Sequence, residues 1–391
     1  MQNFEFYAPT RVIFGKDTQK EAGRLAKAEG ASRAAVVYGG GSVERSGLLK
    51  EVCDSLSEAG VEYVLMGGAK PNPSLEHARE CVLAAVEAGV DFVLAVGGGS
   101  AIDTAKAVAH GTANPDKDLW DIWCKEVPLE KSLPVGAVLT IPAAGSEMSD
   151  SAVLTNEETG KKRGINTEFN RCRFAVLNPA LAASVPRYYL AAGVADIMMH
   201  TMERYFIPGT FEGLTDEIAE GLLRTMVKYG PYVLDHPDDA DAMGEVMWCS
   251  SLSHNNLTEC GRGKDFAVHK LGHALSARYG AVHGASLTAV WGSFAKALYK
   301  DAAPRFSRYA RKVFGVDAAN DEAAALAGIE RTVDFFRSIG MPVSLAELGA
   351  RPDAEELTAL AMDATFGDSI KLSRIRPLGA AEVREIFEAA R

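Results

Sequence analysis

No stretch of the chain stays apolar for the roughly 18 residues that a membrane-crossing helix needs. The opening Met1-Gln2-Asn3-Phe4-Glu5-Phe6 has neither the basic segment nor the apolar core of a secretory signal. Positive charge is in deficit: 41 Lys and Arg stand against 52 Asp and Glu, a net charge of −11. A surface of that sign repels phosphate backbones and anionic lipid heads, which argues against nucleic-acid and membrane partners. The six cysteines (Cys53, Cys81, Cys124, Cys172, Cys249, Cys260) contain no C-x-x-C pair. That excludes a zinc ribbon or thioredoxin-type motif and leaves them as small buried apolar side chains in a reducing, cytoplasmic compartment. G-x-G-x-x-G and G-x-x-x-x-G-K-[ST] are absent too, so neither the usual dinucleotide fingerprint nor a P-loop is present.

What is present is an ordinary globular composition, 47% hydrophobic and 24% charged, which excludes a disordered chain. At about 150 residues per domain, 391 residues suggest two or three domains. The first half alternates apolar runs with helical segments. Strands are predicted at Arg11-Val12-Ile13-Phe14, Ala34 to Tyr38, Glu62 to Met66 and Phe92 to Val96. Asp17 is predicted to cap a helix running to about Ala28, and Pro73-Ser74 to open another that ends near Gly89. Short, fully apolar strands between helices are the pattern of a parallel sheet covered on both faces. Further strands are expected at Val135 to Pro142, Ser151 to Thr155 and Phe174 to Leu177, and from about Val185 onward almost only helix. The expected division is an α/β domain over 1–182 and an all-α domain over 183–391, with a cleft between two such domains a favoured place for a site.

Two strand-to-helix corners are alike: Tyr38 leads into Gly39-Gly40-Gly41-Ser42, and Val96 into Gly97-Gly98-Gly99-Ser100. A phosphate at such a corner meets the backbone N–H groups and positive dipole end of a helix, and a Cβ would hold it off. An NAD site usually carries Asp or Glu at the end of its second strand, to accept from the ribose 2′-hydroxyl. Here no acid stands between Tyr38 and Glu44, which favours NADP over NAD. After the second corner, Asp103 and Lys106 lie one helical turn apart, placed either to pair with each other or to act on a cofactor.

Of eight histidines, His200, His269, His273 and His283 lie in the helical half. Asp196 and His200 are i and i+4 on an otherwise apolar helix, where burial is expensive unless they pair or bind metal. His269 and His273 repeat the spacing, and His283 is placed to open a further helix. A carboxylate with imidazoles suits Fe²⁺ or Zn²⁺ over Mg²⁺ or Ca²⁺. The metalloprotease motif H-E-x-x-H fails, because Lys270 follows His269. His77, His110, His236 and His254 have no partner spacing and receive no role.

With these motifs in view, the chain resembles the iron-activated (group III) alcohol dehydrogenases, and within them the NADP(H)-linked butanol dehydrogenase-like branch. The resemblance is carried by Phe6 to Gly15, Lys70-Pro71-Asn72-Pro73, Gly97 to Lys106, Thr140 to Glu147, and Gly261 to His269 through Ala285. It departs at Ala143-Ala144-Gly145-Ser146-Glu147, where the family usually has Gly-Thr-Gly-Ser-Glu, and at Asn178-Pro179, where Asp-Pro is common. The resemblance implies a Rossmann-like, dehydroquinate-synthase-like fold and a homodimer. It implies metal-dependent, NAD(P)(H)-linked interconversion of small aldehydes and primary alcohols. Asp196, His200, His269 and His283 match the family's metal ligands, and His273 a histidine near the substrate. Gly97, Gly98, Gly99 and Ser100 match the pyrophosphate cradle, and Gly39, Gly40, Gly41 and Ser42 the adenosine-ribose end. Asn72, Asp103, Thr140, Ser149 and Lys162 match further cofactor contacts. The rivals are a polyol dehydrogenase or dehydroquinate-synthase-like lyase of the same superfamily, and a non-redox metallohydrolase. Such a lyase needs a more basic pocket than Met198, Met199, Phe266 and Val268 offer. The two glycine corners count against a hydrolase.

Overall fold

In the computed structural model, which describes residues 2–209 and 212–391, the chain forms two compact units. One comprises Tyr7–Val185 and Pro237–Met247; the other comprises Met1–Phe6, Pro186–His236 and Trp248–Arg391.

The first unit is built on a six-stranded parallel sheet. Its strands are β1 (Arg11–Phe14), β2 (Arg33–Tyr38), β3 (Glu62–Met66), β4 (Phe92–Gly97), β5 (Val135–Leu139) and β8 (Phe174–Leu177), in the order β1-β8-β5-β4-β2-β3. Strands β8, β5 and β4 carry no polar side chain because both faces are covered: Leu94, Val96, Val138 and Val176 are all completely buried, as is Val36 of the neighbouring β2. β2 and β4 are neighbours, with Val36 opposite Leu94 and Tyr38 opposite Val96, so the two glycine corners leave the same end of the sheet side by side. β6 (Ser151–Asn156) and β7 (Lys161–Asn166) form a separate antiparallel hairpin.

Local signals place the helices. Ser74 accepts from the His77 N–H and caps helix Leu75–Ala88, which Gly89 ends in the left-handed conformation. Asp17 does not play the expected part. Its own φ is +63°, its side chain caps nothing, and a 3₁₀ turn at Thr18–Glu21 precedes a helix that starts only at Ala22. The neighbouring Thr18 hydroxyl donates to the Gly15 carbonyl.

The second unit is helical apart from one isolated bridge, Leu372 to Leu378, among the described residues. Helix Arg187–Tyr205 is buried continuously from Leu190 to Tyr205, so it forms the unit's centre rather than its surface. Helices Ala267–Tyr279 and His283–Leu298 pack on each other, and the latter packs on helix 187–205. Gly284 makes that last approach possible: a Cβ there would lie 2.1 Å from the Ala192 carbonyl oxygen.

Candidate metal centre and cofactor corner

Asp196, His200 and Glu203 follow one another at i, i+4 and i+7 along helix 187–205 and share a face. His269 lies in the first turn of helix 267–279, and His283 begins helix 283–298. Asp196, His200 and His269 offer one donor atom each within 4.8 Å of one another, the one such metal-ready group of three or more acids, histidines or cysteines among the described residues. The His269 and His200 Nε2 atoms are 3.3 Å apart. Asp196 Oδ1 lies 3.5 Å from His200 Nε2, 3.7 Å from His269 Nε2 and 3.7 Å from His283 Nε2. Donors about 2.1 Å from one tetrahedral centre are about 3.4 Å apart. The spacing therefore fits a small divalent cation, and so does the chemistry of one carboxylate with imidazoles. His283 reaches Asp196 but stands outside the mutual triplet.

Two carboxylates give this buried region a negative bias. Burial lowers the His200 pKa well below its ordinary value, helped by His254, His269, Arg204 and His283, so that its ring is neutral as a ligand must be. Burial acts downward on His269 too, but the charges and hydrogen bonds of Glu203 and Asp196 outweigh it and lift the ring to about 9. His273 sits one turn along, half-buried, its ring centroid 6.4 Å from that of His269 and 5.3 Å from that of His283.

Two residues at this centre escaped sequence reasoning. His254 stacks on His200 at a centroid distance of 4.1 Å. Nothing in the sequence joins them, since His254 follows the end of helix Ala240–Ser253 and has no spacing partner. Glu203 bonds His269 Nδ1 through one oxygen. Its i+7 spacing from Asp196 was a usable signal.

At the other candidate site, Gly41 has a φ of +62° and caps the short helix Ser42–Arg45. Gly98 caps helix Gly99–Ala113. A Cβ on Gly40 would meet no protein atom within 4 Å, and one on Gly99 only the Ser146 Cβ at 4.0 Å. Packing within the chain does not explain Gly40 and Gly99, whereas a Cβ on Gly97 would lie 2.7 Å from the Ala101 Cβ and one on Gly98 3.2 Å from the Ile141 Cβ. Around this corner the Thr140 N–H donates to the Gly97 carbonyl, and Lys162 Nζ donates to Asn72 Oδ1 at 3.0 Å. Asp103 and Lys106 do not bond each other. Asp103 accepts from Ser146 Oγ and the Val153 N–H, while the fully buried Lys106 donates to the Ser146 and Ser151 carbonyls and to Ser149 Oγ. Both thus anchor the segment from Ser146 to Val153. Burial raises the Asp103 pKa, against the pull of Lys106, Ser146, Val153 and Lys162.

Two family profiles cover nearly the whole chain. That of the iron-containing alcohol dehydrogenases matches residues 9–179, and that of the C-terminal region of the Fe-containing alcohol dehydrogenase family matches 190–391. The chain belongs to the iron-containing alcohol dehydrogenase family. It is an oxidoreductase that interconverts aldehydes and alcohols, and its family implies a divalent metal and NAD or NADP. Among relatives, it is 38% identical to NADH-dependent butanol dehydrogenase A of Clostridium acetobutylicum, with 99% of each chain covered. It is 33% identical to the NADPH-dependent aldehyde reductase YqhD of Escherichia coli over all of both chains. The crystal structure of NADH-dependent butanol dehydrogenase A from Thermotoga maritima superposes with a TM-score of 0.96 at 35% identity, over 100% of this chain and 99% of that one.

Proposed function

We propose that this enzyme interconverts small, neutral aldehydes and primary alcohols with NADP(H), using one Fe²⁺ or Zn²⁺ held by Asp196, His200, His269 and His283. The observation that carries this reading is the run of donor spacings from 3.3 to 3.7 Å on a single carboxylate and three imidazoles. When bound, the cation supplies a Lewis acid for the carbonyl oxygen and the nicotinamide supplies the hydride. The remaining work falls to the chain's own side chains. His273 stands beside the donor set without joining the mutual triplet, which suits it to deliver the proton that the oxygen takes up as the carbonyl carbon receives hydride. The Phe266 ring lies 5.8 Å from that of His200 and 5.0 Å from that of His269, an apolar neighbour of the donor set that favours an uncharged substrate over a phosphorylated or carboxylated one.

The cofactor preference rests on the first corner, with Gly39, Gly40, Gly41 and Ser42 at the adenosine-ribose end and Gly97, Gly98, Gly99 and Ser100 at the pyrophosphate. Glu44, the first acid after β2, already accepts from the Tyr38 hydroxyl at 2.9 Å. The Arg45 guanidinium comes within 2.7 Å of where a Gly41 Cβ would lie, which puts a cation beside the corner for a 2′-phosphate. Asn72, Asp103, Thr140, Ser149 and Lys162 complete the proposed cofactor contacts.

A homodimer is proposed with β1, an edge strand bearing the exposed Phe14, near its contact. A cytoplasmic location fits six cysteines that form no disulfide among the described residues. No helix of the described residues is long and apolar enough to cross a membrane.

The test is oxidation of NADPH, and separately of NADH, by butanal before and after exhaustive chelation. Activity should fall at least tenfold on chelation, return with Fe²⁺ or Zn²⁺, and be higher with NADPH. Undiminished turnover in verified metal-free protein would remove the metal role, and a clear NADH preference would remove the cofactor assignment.

A further inference from the structure

Glu203 is a buried carboxylate that the proposed chemistry leaves without a task. Its side chain is only 5% exposed, at the centre of a helical unit where an uncompensated charge is costly. Its two oxygens face different elements. Oε1 accepts from the backbone N–H of Val268, and more distantly at 3.4 Å from that of His269, capping the open N-terminus of helix 267–279. Oε2 bonds the His269 ring at Nδ1. The Glu203 carbonyl also accepts from the Asp265 N–H at 3.1 Å, tying the approach to the same helix.

We infer that Glu203 is a positioning residue that fixes the tautomer and aim of His269, so that its Nε2 lone pair is presented to the cation. The inference rests on the metal site proposed above. A neutral imidazole has one donor and one acceptor nitrogen. A carboxylate is acceptor-only, so in the neutral ring that ligation of a cation requires, Nδ1 must hold the proton and Nε2 must be bare. Nε2 is the atom that lies 3.3 Å from His200 Nε2 and 3.7 Å from Asp196 Oδ1. The helix cap and the tautomer are set by one rigid group, so turning the ring would break its bond to a carboxylate that the helix N-terminus holds in place. Asp196 and Glu203 supply two negative charges for a dication, while the buried Arg204 beside them is paired with Glu259.

A purely structural role for Glu203 predicts something different. Capping needs one acceptor, and glutamine offers one. In Glu203→Gln, if the amide oxygen keeps the Val268 N–H, the NH₂ group faces Nδ1. The ring proton then moves to Nε2 and blocks ligation. If the oxygen instead keeps the Nδ1 proton, the NH₂ group confronts the Val268 N–H. Only a carboxylate meets both demands.

The experiment measures Zn²⁺ affinity by competition with a chromophoric chelator, on wild type and Glu203→Gln, with the metal-free melting temperature as a check on folding. Loss of such a supporting carboxylate typically weakens metal binding about 10- to 100-fold, and that is the expected result. NADPH binding, read by tryptophan-to-NADPH energy transfer, should change less than about twofold. Zn²⁺ affinity within twofold of wild type in a folded variant overturns the inference. If the variant does not fold, the decision passes to the wild-type Zn²⁺ form labelled with ¹⁵N-histidine. His269 must show a protonated Nδ1 and a metal-bound Nε2, and the opposite pattern overturns the inference equally. Failure of the underlying site is separately visible, because wild-type protein would then bind no Zn²⁺ before any variant is made.

Discussion

His269 and His273 are one turn apart on the same helix, and spacing alone treats them as equals. Their surroundings separate them. His269 is buried, bonded to Glu203 and faces Asp196, whereas His273 is half-buried and faces His283 across 5.3 Å between centroids. The two alanine substitutions should therefore fail in different ways. His269→Ala is expected to purify without metal and without activity. His273→Ala should retain metal at the wild-type ratio while turnover with butanal falls by about 100-fold or more, the usual worth of a positioned proton donor. Metal analysis beside steady-state rates checks both, and loss of metal from His273→Ala would show that it is a ligand.

At the scale of elements, the centre depends on three helices brought closer than ordinary side chains permit. Gly284 is the tightest point. The Ala192 carbonyl that a Cβ would strike is backbone, so it can yield only if helices 187–205 and 283–298 separate. His283 is the adjacent residue, and any separation carries it from Asp196. Gly284→Ala should thus cost about 3 kcal/mol or more in stability, as overpacking does, and weaken metal binding at least tenfold. Gly280→Ala is the control. It ends helix 267–279 with a φ of +64° and open space around it, so it should cost about 1 kcal/mol of backbone strain and leave metal affinity unchanged. Thermal melts and chelator competition on the pair separate crowding from mere loss of a glycine. Elsewhere, element boundaries were legible wherever apolar runs and caps coincide, as at β3, β4 and the Ser74-capped helix. β7 was not legible, because Lys161-Lys162-Arg163-Gly164-Ile165-Asn166 has no apolar alternation and becomes a strand only by pairing with β6.

Across the whole molecule, stability in acid should be governed in part by a histidine remote in sequence from the metal helices. His110 is fully buried in helix 99–113, with Nδ1 2.8 Å from Ser132 Oγ and Nε2 2.8 Å from Asn170 Oδ1. Burial holds its pKa down at about 4, with Lys106 adding to the effect and the Asn170 bond opposing it. An unfolded imidazole takes up its proton near pH 6.5. The unfolded chain is therefore favoured by protonation first. The contribution of neutral His110 is complete above pH 6.5 and lost progressively down to about pH 4, by then on the order of 3 kcal/mol. Urea midpoints at pH 7.5 and 4.5 should fall further for wild type than for His110→Gln; equal losses would show that another group governs acid unfolding.

By itself, the sequence determined the class of fold, the two glycine corners and the candidate donor residues, because each depends on neighbours within a turn or two: apolar runs, glycines after a strand, an acid and a histidine four apart. Only the tertiary structure decided how those donors meet. His269 lies 69 residues from His200, and no local rule brings their Nε2 atoms to 3.3 Å. The same holds for His254 against His200 and for the link from Glu203 to His269 Nδ1. Local periodicity specifies which face of a helix a side chain occupies; what that face touches is set by how whole helices pack, and here by a glycine small enough to let two of them close.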